Sequence, residues 1–299
     1  MKLNSLETHD DFATRLEIFF GEASDTVCHV YAQLPIDSDE HPFQLCGSLT
    51  GPYCEYAETL TAKFSFADRG PGKSLLAMAV VPEPCFWTPE MPHLYQAHLQ
   101  LKQGDKVLAE AQRRFGLRTL GIQGRNFFYD GKRWVLRGVL SSDVPPTELA
   151  AWRDIDMVML VRNPDEALAS EASRIGVLLA AELDAADAPT LRRLSQHAAI
   201  AFVVLPGNWE EPAEAVAHNL ILVQRFGRDE PIVPAAWAQA LLCETDNPEA
   251  FAGKVRNCPL PMIAVRMAGK LARIAEARQK CDLLQRDLAG RGDFAGYLV

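Results

Sequence analysis

The stretch Cys85-Phe86-Trp87-Thr88-Pro89-Glu90-Met91-Pro92-His93-Leu94-Tyr95 decides the reading of this chain, together with two later blocks. These are Phe115-Gly116-Leu117-Arg118 and Asp130-Gly131-Lys132-Arg133-Trp134-Val135-Leu136-Arg137-Gly138-Val139. Within the first block, Pro89 and Pro92 remove backbone donors and pin the chain between strands, while Trp87 supplies a large core anchor. Immediately afterwards Leu94 to Leu101 alternates cleanly. Tyr95, Ala97, Leu99 and Leu101 fall on one face and Gln96, His98 and Gln100 on the other, the period of a half-buried strand. Gly104-Asp105 then turns the chain into Val107 to Phe115, which predicts a hairpin.

Upstream, short strand candidates lie at Thr14–Phe20, Thr26–Leu34, Phe43–Leu49, Ala57–Phe66 and Leu75–Val81, separated by Gly, Pro and Asp clusters. Six to eight strands without a helix argue for an antiparallel β-sandwich. After about residue 125 the rhythm changes to strand–helix alternation with continuously apolar strands, the pattern of a parallel sheet covered by helices. Eight apolar runs are found: Trp134–Leu140, Met157–Arg162, Val177–Leu183, Ile200–Leu205, Ile232–Ala236, Ala240–Cys243, Met262–Met267 and Phe294–Val299. Helices are expected at Asp165–Arg174, Ala188–His197, Ala213–Phe226 and Gly269–Leu288. Only about 175 residues serve this half, below the roughly 200–250 usual for a closed eight-stranded barrel. The choice is between a compact (β/α)8 barrel and an incomplete barrel or open sheet, and the compact barrel is expected. The last strand candidate ends at Val299, so no final helix is expected. The expected domains are 1–122 and 123–299.

Composition narrows the function. Among 299 residues, Lys+Arg 30 against Asp+Glu 39 gives a net charge of −9. With no basic run to reverse it, nucleic-acid binding is not expected. No apolar run approaches the ~20 residues of a membrane helix. The acidic N-terminus is not a secretory signal, so a cytoplasmic protein is expected. The seven cysteines show no metal spacing and read as reduced thiols. No metal and no cofactor are expected.

The three blocks, in order and at these spacings, resemble glycoside hydrolase family 2, the β-galactosidase and β-glucuronidase group. That resemblance implies an immunoglobulin-like sandwich passing into a (β/α)8 TIM barrel, and a carbohydrate ligand. Trp87, Thr88, Pro89, Pro92, Leu94 and Tyr95 fit the passage between the two domains, and Leu136-Arg137-Gly138-Val139 fits the first barrel strand. Members of the family are retaining glycosidases, in which an acid and a nucleophile carboxylate stand ~5–5.5 Å apart. The resemblance places the acid at the end of the fourth strand and the nucleophile at the end of the seventh, on the carboxyl face.

At the fourth strand the chain reads Leu205-Pro206-Gly207-Asn208-Trp209-Glu210-Glu211, with Trp209 inserted between the family's Asn and Glu. Glu210 takes the acid's place only if the loop bulges by one residue. Otherwise it is a first-turn carboxylate favouring the next helix. The seventh strand, Met262-Ile263-Ala264-Val265-Arg266-Met267, contains no carboxylate. Pro231–Trp237 superficially resembles the family's nucleophile strand but has alanine where Glu should be, and is read as the fifth strand. Arg162 keeps the position of a residue that supports the nucleophile, with a strand-end ion pair as the alternative. Glu182 and Glu244 end other strands and are candidate substitute acids. Asn208, Trp209 and Trp237 are candidate sugar contacts, the tryptophans as stacking platforms or as core.

The expectation is a shortened, non-catalytic relative that recognises carbohydrate or serves in assembly, as a homo-oligomer or with a partner chain. An active glycosidase using Glu210 and a ligand-free structural protein are the alternatives.

Overall fold

The computed structural model describes residues 9–36, 42–70, 72–141, 145–210, 218–228, 230–245, 258–266 and 274–299. The chain divides into two compact units: Met1–Leu117 with Pro189–Ala198, and Arg118–Ala188 with Ala199–Val299.

The first unit is a seven-stranded antiparallel sheet: β1 (Glu17–Ala23), β2 (Val27–Pro35), β3 (Phe43–Tyr53), β4 (Ala62–Asp68), β5 (Ser74–Pro82), β6 (Leu94–Gln103) and β7 (Lys106–Phe115). The spatial order is β1-β2-β5-β4-β3-β6-β7. Alternate residues turn inward. Cys28, Val30, Ala32 and Leu34 of β2 share one core with Leu45 and Leu49 of β3 and with Tyr95, Ala97, Leu99 and Leu101 of β6. The sheet thus folds over as an immunoglobulin-like sandwich. The hairpin after Gly104-Asp105 is present, with Gln103 paired to Lys106. One expectation fails at the start of the unit. Residues 9–15 form a helix, α1 (His9–Arg15), and β1 begins only at Glu17. Phe12 and Leu16, fully buried, join the sandwich core from this segment. Helical spacing, not alternation, brings those two residues to one face.

The Cys85–Tyr95 block is anchored by burial and by three hydrogen bonds. Trp87 is fully buried, and its backbone N–H donates to Leu117 O at 2.6 Å. Tyr95 Oη accepts from Cys85 N at 2.9 Å. Thr88 Oγ1 accepts from Met91 N at 3.0 Å, closing the turn that carries the prolines.

The second unit opens with a three-stranded meander, β8 (Gly121–Gln123), β9 (Asn126–Tyr129) and β10 (Lys132–Trp134). Eight parallel strands follow: β11 (Leu136–Ser141), β12 (Val158–Arg162), β13 (Leu179–Glu182), β14 (Ile200–Pro206), β15 (Ile221–Phe226), β16 (Ala240–Glu244), β17 (Met262–Val265) and β18 (Gly296–Leu298). They form a closed barrel. The closing seam pairs Leu136 with Gly296 and Gly138 with Leu298. Gly138 is held tightly between both neighbouring strands, since a Cβ there would stand 2.7 Å from Val158 O of β12 and 2.8 Å from Leu298 Cδ2 of β18.

Meander and barrel meet in an aromatic cluster near the amino end of β14. Phe127 meets the ring of Phe202 edge-on at 5.2 Å, and Trp134 stacks on it at 6.3 Å. Arg118, 6% exposed, donates from its two terminal nitrogens to Ile200 O and Asn219 O, both at 2.6 Å. It thereby ties the entries to β14 and β15, and burial pushes its guanidinium down to about 10.

Eight strands were expected and eight are present, but the fifth lies elsewhere. It is β15, inside the segment read as helix Ala213–Phe226, of which 213–217 lie outside the described residues. Ile232–Ala236 is irregular. Pro231 and Pro234 lack the N–H groups that a strand flanked on both sides must donate, whereas Ile221-Leu222-Val223 suits a doubly buried strand. Gln224, buried on β15, holds the irregular segment. Its Oε1 accepts from Ala235 N at 2.7 Å and its Nε2 donates to Val233 O at 3.3 Å.

Helices α2 (Leu149–Arg153), α3 (Glu166–Ile175), α4 (Ala188–Ser195) and α5 (Ile274–Leu288) occur in the connections. Asp165 caps α3 by accepting from Leu168 N at 2.7 Å. The economy in length has a visible source: α2 is five residues long, and no helix lies among the described residues between β15 and β16.

Candidate functional site at the carboxyl mouth of the barrel

Parallel strands deliver their last residues to one face, so residues distant in sequence meet there. β12 ends at Arg162, β13 at Glu182, β15 at Arg225-Phe226 and β16 at Glu244. Arg225 joins two of the anticipated residues. One terminal nitrogen donates to Glu182 Oε1, and the other donates to Glu244 Oε1 at 2.7 Å. One guanidinium on the fifth strand therefore bridges carboxylates from the third and sixth. Burial pulls Arg225 downward, but the hydrogen bonds and charges of Glu244 and Glu182 outweigh it and hold the group above its ordinary value.

Arg162 makes a two-pronged pair with Asp184, at 2.9 and 2.8 Å. The bond and charge of Asp184 raise the guanidinium, and Glu182 and Arg225 also act on it, so the five groups form one electrostatic cluster. Both members of the Arg162–Asp184 pair are exposed, so the pair itself contributes little to stability.

The fourth strand behaves differently. Beyond Pro206 and the turn Gly207-Asn208, Trp209 folds back and is 8% exposed. Its Nε1 donates to Ala186 O at 2.9 Å, and Trp237 Nε1 donates to Trp209 O at 3.0 Å. The two indoles meet edge-to-face at 4.9 Å and 89°. The Trp209 ring is therefore a packing element of this loop, whereas Trp237 is half-buried. Glu210 is exposed, and Glu211 lies outside the described residues. At the end of the seventh strand Arg266 pairs with Asp287 of α5 at 2.7 Å.

Sequence reasoning named Glu182, Glu244 and Arg162 but missed Arg225 and Asp184. The Arg225 error follows from reading its segment as helix. A strand reading would have set Arg225 at a strand's carboxyl end, where chemistry is built. Among the described residues no group of three His, Cys, Asp or Glu side chains could hold a metal ion, and no helix is long and apolar enough to cross a membrane.

Residues 55–118 match the family model of the glycosyl hydrolases family 2. This span contains the Trp87–Tyr95 and Phe115–Arg118 blocks but not the barrel. No curated protein matches the sequence. Among solved structures, a glycosyl hydrolase family 2 member from Bacteroides cellulosilyticus is 16% identical with a TM-score of 0.65, over 96% of this chain and 45% of its own. A β-glucuronidase from Bacteroides uniformis is 14% identical with a TM-score of 0.60, over 95% of this chain and 45% of its own. A putative β-galactosidase from Bacteroides fragilis is 14% identical with a TM-score of 0.60, over 96% of this chain and 54% of its own. The chain spans less than half the length of the first two. By its matched segment and by the fold of both units, the chain resembles the family 2 glycosyl hydrolases.

Proposed function

We propose that this chain is a non-catalytic, carbohydrate-recognising relative of the family 2 glycosidases. Its ligand site would be the carboxyl mouth of the barrel, with Arg162, Glu182, Arg225 and Glu244 as polar contacts and the half-buried Trp237 as a stacking ring. The observation that supports this reading is the engagement of Glu182 and Glu244 by a single arginine.

A retaining glycosidase needs one carboxyl group to give up a proton and another, ~5–5.5 Å away, to attack. The guanidinium of Arg225 occupies one oxygen of each carboxylate, which takes that oxygen away from proton donation and from attack on a sugar. By the family resemblance the nucleophile belongs at the end of the seventh strand, Met262–Val265, where Arg266 follows and the sequence offers no carboxylate. The carboxylate oxygens are suited to accept hydrogen bonds from sugar hydroxyls, and the guanidiniums to donate them.

The test combines turnover and binding. A panel of aryl glycosides should release no nitrophenol, while sugars bind saturably and Arg225→Gln weakens binding at least about tenfold, the cost of losing one or two charge-assisted hydrogen bonds. Nitrophenol release abolished by Glu210→Gln would overturn the proposal in favour of an active glycosidase. Absence of both turnover and binding would leave a structural protein.

A further inference from the structure

The cluster at the mouth has a definite charge. Glu182, Glu244 and Asp184 face Arg162 and Arg225, three carboxylates against two guanidiniums, leaving one net negative charge. Among the described residues, the other charged groups at this face do not reverse it. Arg266 is matched by Asp287, Arg228 and Glu230 follow β15 with opposite signs, and the exposed Glu210 adds another negative group. Both terminal nitrogens of Arg225 are turned to carboxylates, so a ligand anion would have to compete with Glu182 and Glu244 for them. Glu182 and Glu244 each give one oxygen, Oε1, to Arg225, and the second oxygen of each makes no hydrogen bond among the described residues.

We infer that the mouth discriminates sugars by charge, binding an amino sugar more tightly than its neutral parent and a uronic acid more weakly. This inference rests on the carbohydrate-recognition reading above. Its physical content is simple. An ammonium donates to the two spare carboxylate oxygens and meets net negative charge, whereas a carboxylate is repelled by that charge. At about 4 Å in water-like screening, one unit charge against another changes affinity about fivefold.

The experiment titrates the whole chain with methyl β-glucosaminide, methyl β-glucoside and methyl β-glucuronide, followed by calorimetry or protein NMR. The buffer has low ionic strength and is mildly acidic, so that the ligand amine is charged. The glucosaminide should bind about fivefold more tightly than the glucoside and the glucuronide about fivefold more weakly, with both differences shrinking in high salt. Glu182→Gln removes the net charge and should draw the glucuronide-to-glucoside ratio towards one. Glu244→Gln should do the same, which keeps the test valid if one variant fails to fold. A glucuronide that binds as tightly as the glucoside, or an order unaltered in both variants, overturns the inference while leaving recognition intact. Failure of all three glycosides to bind overturns the recognition reading, and this inference with it.

Discussion

Replacing Arg118 with methionine keeps the unbranched apolar stem and deletes a guanidinium that donates to Ile200 O and Asn219 O at 2.6 Å each. A hydrogen bond to a charged group contributes about 1.5–3 kcal/mol, so the two together are worth roughly 3–6 kcal/mol. Against this stands the cost of burying the charge. Burial pushes Arg118 down to about 10, which corresponds to roughly 3 kcal/mol that the methionine variant recovers. Two carbonyls also lose a donor, which adds about 1 kcal/mol or more to the loss. The balance is a destabilisation of about 1–4 kcal/mol. Arg118→Lys keeps the charge but has no fork to span both carbonyls, and should lose about half as much.

The fluorescence of the five tryptophans, Trp134 stacked on Phe202 of β14 among them, follows urea unfolding. Amide exchange of residues 200–205 reports on β14 directly. The loss should appear in both. A methionine variant within about 0.5 kcal/mol of the parent would refute the reasoning, because that is the range of an ordinary surface change. A lysine variant as unstable as methionine would show that the fork, not the charge, carries the whole effect.

Trp209→Ala should destabilise the second unit by about 3–5 kcal/mol in urea unfolding, as for a buried indole, whereas Trp237→Ala should cost less because that ring is half-buried. Gly138→Ala sets a Cβ 2.7 Å from Val158 O and 2.8 Å from Leu298 Cδ2, and should cost at least about 1–3 kcal/mol by thermal melting. Burial pushes the Cys281 thiol up to about 11, so the folded state holds this proton where an unfolded thiol has lost it. Its stabilising contribution is complete below about pH 8.5 and is lost as pH rises towards 11, by up to about 3 kcal/mol. Cys281→Ala should flatten that alkaline slope in urea midpoints measured across pH 8 to 11. An unchanged slope would dismiss Cys281 as its source.

The sandwich was the most legible part of the chain. Its strands alternate, one face is wet, and the period of two carries into the buried sides of β2 and β6 without correction. The barrel was legible in number but not in assignment. Doubly buried strands have no alternation, so β15 and a helix share the same apolar signature over a few residues. The prolines at 231 and 234 held the discriminating signal, since a central strand cannot spare those donors. Reading Trp209 as a sugar platform or a core residue could not be resolved from its neighbours. Its Ala186 partner lies 23 residues away on another loop.

What the sequence determined by itself was the architecture: alternating strands, a proline-pinned passage, and apolar runs long enough for barrel strands. These are local patterns, set by the side-chain period and by backbone donors within a few residues. What only the tertiary structure decided was which charges meet. Glu182, Arg225 and Glu244 lie 43 and 19 residues apart along the chain and come together because their parallel strands end on one face. The long sequence separations leave no local trace of that meeting. It joins Glu182 and Glu244 through Arg225, a residue whose segment reads as helix from its local pattern.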